Sequence, residues 1–235
     1  MAQPQLHRAQ LSILRTLRHS ESARYTALMK PTGLESDVFK FHVRKLIDQG
    51  YVSKQTSGIY ALTTRGKEFA NNLNPTSRTI QKQPKVSVLI VSTRQRDGKT
   101  EYLFQQRKRN PFYGFWGCLS GPVQWGESFE ETAERELAKQ TGLSATLRVH
   151  GFYRKTDYLK DSNDILEDKL FAVVEATALS GTLRTNWSKG QSAWLTLDEL
   201  ETKPHYFTDS GAVTAMLISY ETFLNHRAEY DKSQY

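Results

Sequence analysis

Residues 135–142 read RELAKQTG, in which Glu136, Lys139 and Gln140 fall three and four positions apart. On an α-helix such positions project from one face. A carboxylate, an ammonium and an amide would then share one patch, with the guanidinium of Arg135 beside them. A carboxylate on a helix can bind a cation or anchor a basic side chain, so its neighbours decide whether this patch does catalytic work.

The flanking residues make the segment a helix. In SFEETAERELAKQTG, Ser128 and Glu131 form a capping box and Gly142 is the natural stop. Before it, VSVLIVST and TEYLFQQR read as strands, and FYGFWGCLSGPVQWGES is glycine-punctuated and aromatic.

Gly121, Glu127, Arg135, Glu136, Leu137, Gly142 and Leu143 fall at the fixed positions of the Nudix box, G-x5-E-x7-R-E-U-x-E-E-x-G-U, where U is a bulky aliphatic residue. The flanks QQRKRNPFYGFWG, which includes Arg107, and SAWLTLDEL also resemble Nudix sequences. The resemblance covers about residues 85–226 and implies an α/β/α sandwich around a mixed sheet. It further implies hydrolysis of nucleoside diphosphate derivatives with Mg²⁺ or Mn²⁺ held mainly by box glutamates. Carried over residue by residue, it makes Glu136 and Glu127 candidate metal ligands, and Glu136, Glu127 and Arg135 candidate catalytic residues.

Two box positions depart from the pattern. The paired glutamates are replaced by Lys139 and Gln140. Two carboxylates become an ammonium and an amide, a local change of about +3. Each unit charge at about 4 Å interacts by roughly 4 kcal/mol at an effective dielectric of about 20, so a dication is disfavoured. Ser120, in LSGPV, stands where the family has a glycine whose carbonyl faces the metal. Asp157, Asp161, Asp164, Glu167 and Asp168 in DYLKDSNDILEDK are alternative acids, or else a solvated acidic loop. Lys139 either contacts a bound diphosphate directly or is a drifted residue in an inactive pocket. Lys139, Gln140, Arg107 and Trp125 are the candidate ligand-binding residues, Trp125 and Trp116 being able to stack on a base or to serve packing.

A second part of the chain lies ahead of these elements. Residues 1–85 carry 14 Lys/Arg against 5 Asp/Glu, whereas residues 86–235 carry 18 against 20. The net +7 therefore belongs to the N-terminal third, which points to a polyanionic partner there. NNLNPTSRTIQKQPK reads as a linker, placed at residues 73–85 between an N-terminal domain at 1–72 and a C-terminal domain at 86–235.

In the N-terminal part, Leu6, Leu11, Ile13, Leu14 and Leu17 predict a first helix and SARYTALMK a short second one. DVFKFHVRKLIDQG predicts a third helix, with Ser36 as N-cap, Phe39, Val43, Leu46 and Ile47 on its apolar stripe, and an end at Gly50. Two strand-like runs, Tyr51–Lys54 and Ile59–Thr63, flank a turn at Gln55–Gly58, and RGKEFANNL closes the unit with a helix. Three helices and a two-stranded ribbon make a winged helix-turn-helix, and FHVRKLIDQGYV with GIYALTTRGKEF resembles small winged-helix repressors over residues 6–72. In that fold the third helix enters the major groove and the wing lies on the backbone. Lys40, Arg44, Lys45 and Lys54 are the candidate DNA contacts, with Arg65 and Lys67 secondary and His42 a packing residue. The fold class is thus α+β, a winged helix-turn-helix followed by a Nudix α/β/α sandwich.

Cys118, the single cysteine, excludes an internal disulfide and reads as a small core residue. With no apolar run of membrane-spanning length and no signal-peptide core at MAQPQLHRAQ, a cytoplasmic location and no membrane partner are expected. Three functions are consistent with these features. One is a homodimeric regulator binding double-stranded DNA and sensing a nucleotide-like ligand with little or no hydrolysis. The others are an active metal-dependent Nudix hydrolase with an accessory winged helix, and a protein-binding module. The first arrangement resembles the Nudix-type repressors of NAD metabolism, which pair a Nudix sensor with a winged helix; in those the Nudix part comes first, so neither their ligand nor their operator transfers.

Overall fold

The computed structural model describes residues 6–55, 58–73, 82–219 and 221–235, in two compact units divided between Lys82 and Gln83. Thr56 and Ser57 of the expected turn and residues 74–81 of the expected linker lie outside the described residues.

In the first unit, α1 (Arg8–Arg18) starts at His7, whose ring accepts from the Ala9 amide while Gln10 bonds back to the His7 amide. Leu6, just before the cap, and Leu11 both pack on the core, fixing the entry angle of the chain. Next come β1 (Ala23–Arg24), α2 (Tyr25–Met29) and α3 (Ser36–Asp48). Phe39, Val43 and Leu46 turn inward from α3 onto Ile13, Leu14 and Leu17 of α1. Truncating Phe39, Leu46, Ile13, Leu14 or Leu17 to alanine costs about 2–5 kcal/mol. β2 (Val52–Lys54) and β3 (Ile59–Leu62) form the wing, and α4 (Thr64–Asn71) closes the unit behind a Thr63 cap.

Three expectations are corrected. Ser36 is the first helical residue rather than the cap; Glu35 holds that position without a side-chain bond to the helix. The SARYTALMK segment opens as β1 before turning helical. Its two residues pair antiparallel with Tyr60 and Ile59, so the sheet among the described residues has three strands in the order β1-β3-β2, not two.

The second unit holds β4 (Lys85–Arg96), β5 (Lys99–Arg107), β6 (Trp116–Pro122), α5 (Phe129–Thr141), β7 (Ser144–Leu159) and β8 (Ile165–Ser180). They are followed by β9 (Asn186–Trp187), β10 (Gly190–Leu195), α6 (Leu197–Glu201), α7 (Ser210–Ala215) and β11 (Phe223–Tyr230). Among the described residues the strand order is β11-β7-β8-β4-β6-β5-β10-β9. β4 runs parallel to β8, and β11 parallel to β7, while the other pairs are antiparallel. Alternation along β4 makes the sandwich. Val88 and Ile90 pack with Ala133 and Leu137 of α5 on one face, and Leu89 and Val91 with Val213 and Met216 on the other. The sheet is therefore mixed and covered by helices on both faces.

Candidate functional site

α5 carries the capping box expected from its sequence: Ser128 Oγ accepts from the Glu131 amide and Glu131 accepts from the Ser128 amide. Gly142 ends it in the left-handed conformation, at φ +75°. Glu130, Glu131 and Glu134 are exposed, whereas Glu136 is buried at 3 % exposure. The β6 backbone crosses Glu136 at Gly121, where an added Cβ would lie 2.2 Å from Glu136 Cγ. Only glycine admits that crossing.

Each oxygen of Glu136 is already engaged. Oε1 accepts from Arg135 and from Lys139 Nζ at 3.2 Å; Oε2 accepts from Gln140 Nε2 at 2.7 Å. The same Gln140 nitrogen donates to the Ser120 carbonyl at 3.0 Å. Burial pushes the Glu136 carboxyl up, but the donors Gln140, Lys139 and Arg135 outweigh it and hold the group below its ordinary range. Glu127 is engaged as well, by Arg135 Nε at 2.7 Å and Nη2 at 2.8 Å, and by Thr132 Oγ1 at 2.8 Å. These bonds, led by Arg135, bring its pKa down to about 2.

This donor set does not fit a divalent cation. A metal site needs convergent oxygen acceptors, and here the buried carboxylate and the Ser120 carbonyl converge on N–H donors. Among the described residues no three His, Cys, Asp or Glu side chains gather where they could hold an ion. Nor do the alternative acids gather with the box carboxylates into such a group among the described residues. Asp161 and Asp164 are exposed in the β7–β8 turn, and Asp168 pairs with Arg154 at 2.9 Å. Asp157 and Glu167 face a cavity, each accompanied by lysine: Lys155 at 3.6 Å from Asp157, and Lys85 at 2.7 Å and Lys169 at 3.6 Å from Glu167.

That cavity has a volume of about 230 Å³ and lies against the strands β4, β6, β7 and β8. Ser120, Gly121 and Pro122 form one edge, Phe112, Phe171 and Phe207 apolar walls, and Lys85, Arg107, Arg109, Lys155 and Lys169 its cationic lining. Arg107 donates to the Pro111 carbonyl at 3.1 and 2.9 Å; burial, then nearby Arg109, lowers its pKa to about 10. Lys155 is buried and donates to Asp209 Oδ1 at 3.1 Å and Tyr230 Oη at 3.0 Å. Tyr153 donates to the other Asp209 oxygen. On the same face of β7, two residues beyond Lys155, Asp157 Oδ1 is buried with no hydrogen-bond partner among the described residues.

The predicted ligand residues are thus divided. Arg107 lines the cavity; Gln140 is buried behind its Ser120 edge; Lys139 is exposed on α5; Trp125 is 100 % exposed in the loop before α5, outside the cavity. Trp116 is a core residue packed with Phe104 and Leu200. Cys118 lines the cavity, its thiol pushed up to about 12 chiefly by burial. Lys155, Lys169 and Asp209 were missed from sequence, although period-two alternation in FYRKTDYL and LEDKLF carries the signal for the two lysines.

In the first unit, Lys40, Arg44 and Lys45 are exposed on α3 and Lys54 on β2, and Arg65 and Lys67 are exposed on α4. His42 is buried and stacks on His7 with ring centroids 4.3 Å apart.

A winged helix-turn-helix family model matches residues 8–81, and the NUDIX domain model matches residues 83–216. Among solved structures, the chain is similar to the NUDIX domain of Shewanella oneidensis NrtR complexed with ADP ribose, at 21 % identity over 66 % of this chain and 97 % of that one, TM-score 0.49. It is also similar to the MutT protein from Bacillus halodurans, at 19 % identity over 64 % and 93 %, TM-score 0.47. The Shewanella oneidensis NrtR structure matches at 20 % identity over 56 % and 60 %, TM-score 0.41. Its box crossing at Gly121, its capped α5 and the extent of the family match place the chain in the NUDIX domain family, with a winged helix-turn-helix ahead of that domain.

Proposed function

We propose that the protein is a DNA-binding transcription regulator whose NUDIX domain binds a nucleotide-diphosphate-type ligand with little or no hydrolysis. The observation that carries this reading is that Arg135, Lys139 and Gln140 all donate to Glu136, so N–H donors stand around the box carboxylate where a metal would need further acceptors. The cavity beside the box, with five cationic side chains against the three acids Asp157, Glu167 and Asp209 and with aromatic walls, suits an anion joined to a ring. Arg107 and the neighbouring lysines take the anionic groups. The basic winged helix, presenting Lys40, Arg44, Lys45 and Lys54, supplies phosphate contacts on duplex DNA, and the protein works as a homodimer on two half-sites.

The test is a thermal-shift screen of ADP-ribose, dinucleotides and nucleoside triphosphates, with turnover measured in parallel in Mg²⁺ and Mn²⁺. Stabilisation without turnover is expected. Metal-dependent turnover that Glu136→Gln abolishes would overturn the sensor reading. Lys40→Ala with Arg44→Ala should weaken duplex binding across sequences and make its log-log salt dependence shallower by about two, one unit for each phosphate no longer neutralised. Unchanged binding would overturn the DNA assignment.

A further inference from the structure

The exposed face of α3 is not only basic. Val38 and Phe41, one helical turn apart, are 48 % and 55 % exposed. They stand among Lys40, Arg44 and Lys45, and the Lys45 ammonium lies 4.9 Å from the centre of the Phe41 ring. The ring also meets His42 edge-on at 5.4 Å, so it is held on the surface rather than folded into the core. The helix already has a complete apolar stripe in Phe39, Val43 and Leu46. Val38 and Phe41 therefore contribute nothing to that core, and they leave apolar surface in water until something covers it.

Resting on the DNA-binding half of the reading above, we infer that Val38 and Phe41 read thymine in the major groove by packing on its 5-methyl group. The surrounding charge selects the occupant. A second copy of the same surface would set Lys40, Arg44 and Lys45 against themselves, whereas a duplex brings phosphates to the ammonium and guanidinium groups. At the floor of the major groove the thymine methyl is the apolar group that distinguishes one base edge from another. Val38 and Phe41 also occupy the N-terminal half of α3, the part of a recognition helix that meets base edges, while Arg44 and Lys45 follow toward its C-terminus. Lysine and arginine then supply affinity, and the apolar pair supplies discrimination between thymine and the other bases.

The experiment selects duplexes from a random-sequence pool with the full-length protein. The selected duplex is resynthesised with deoxyuridine replacing thymidine at one position at a time, which removes only the methyl group. One or more such replacements should weaken binding about fourfold, the equivalent of one buried methyl group. In Phe41→Ala or Val38→Ala that penalty should vanish, the thymine and uracil duplexes then binding alike. Both residues are exposed, so the variants should keep the melting temperature of the parent. No penalty at any position, or a penalty that persists in both variants, overturns the inference. So does binding without any selected sequence, which leaves the DNA-binding reading standing. Loss of self-association in Phe41→Ala would assign the patch to a second copy and overturn it too. Absence of any duplex binding by the parent protein overturns the DNA-binding reading, and this inference with it.

Discussion

Gln140 Nε2 lies 2.7 Å from Glu136 Oε2 and 3.0 Å from the Ser120 carbonyl oxygen, so one amide nitrogen joins the buried box carboxylate to the backbone just before the box. Lys139 adds an ammonium to the other oxygen of the same carboxylate. Together they supply the N–H donors and the positive charge that the buried acid requires in place of an ion. Replacing them by the pair Lys139→Glu and Gln140→Glu sets three carboxylates against one another. The metal-free variant should lose about 1–3 kcal/mol of stability from the broken hydrogen bonds alone. Adding Mn²⁺ should restore its melting temperature and leave the parent's unchanged. Thermal unfolding with Mn²⁺ and with chelator checks both, and a parent protein stabilised by Mn²⁺ to the same degree would refute this account of the site.

Arg107 and Trp125, both candidates for ligand contact, stand in different surroundings. Arg107 is set into the cavity wall by two bonds to the Pro111 carbonyl, whereas Trp125 stands wholly in solvent. For a nucleotide that stabilises the parent protein, Arg107→Lys should raise Kd about tenfold or more, since an ammonium cannot reproduce the planar fork of a guanidinium. Trp125→Ala should change Kd less than about twofold. Isothermal titration with one ligand and both variants decides the matter, and the opposite ranking would move the binding site to the loop before α5.

Asp157 bears on stability through the same cavity. Its carboxyl is pushed above the ordinary 3.8, chiefly by burial, with Lys155 and then Lys169 opposing. A raised native pKa means that the folded protein holds the proton more tightly than the unfolded chain. The stabilisation is complete below the unfolded value and is lost as pH rises through the raised one. At neutral pH the ionised group is a cost, with Oδ1 lacking a hydrogen bond among the described residues. Asp157→Asn should therefore stabilise the protein by about 1 kcal/mol near neutral pH, with a smaller gain near pH 4. Denaturant unfolding at the two pH values measures this. A destabilised variant at neutral pH would mean that the attraction of Lys155 outweighs burial.

What was legible in the sequence follows from the range of each interaction. The limits of α5 rest on Ser128, Glu131 and Gly142, all within or next to the helix, and its capped form is visible in the letters. The charge conflict at Lys139 and Gln140 is equally local, because both lie within one turn of Glu136. The cavity is another matter. It requires Lys155 to stand across from Lys169, and Asp157 from Glu167, in the β7–β8 register, and then Asp209 to arrive from more than fifty residues away. Alternation shows which residues share a face but not what that face meets. Likewise β1 is two residues long, too short for any period, and exists because β3 offers it an edge. Trp116 and Trp125 are near neighbours in sequence with opposite fates, set by whether the residue falls inside β6 or in the loop beyond it.

His42 makes the first unit sensitive to acid. The imidazole is buried on α3 against His7, and its Nδ1 has no hydrogen-bond partner among the described residues. Burial first, then the proximity of His7 and Lys45, lowers its pKa below 6.5. The folded unit thus resists a proton that the unfolded chain accepts. Stability is complete above the unfolded value and is lost as pH falls through the lower native one, by up to about 1.4 kcal/mol per pH unit between the two. His42→Phe removes the titration while keeping an aromatic ring against His7. Hydrogen exchange of the α3 amides in the full chain, compared at about pH 7.5 and about pH 5 after correction for the intrinsic rate, should show protection falling in the parent and nearly constant in the variant. Equal losses in both proteins would place the acid sensitivity elsewhere in the unit. Because α3 also carries Lys40, Phe41 and Arg44, loosening this helix should weaken duplex binding over the same pH range, in the parent and not in His42→Phe.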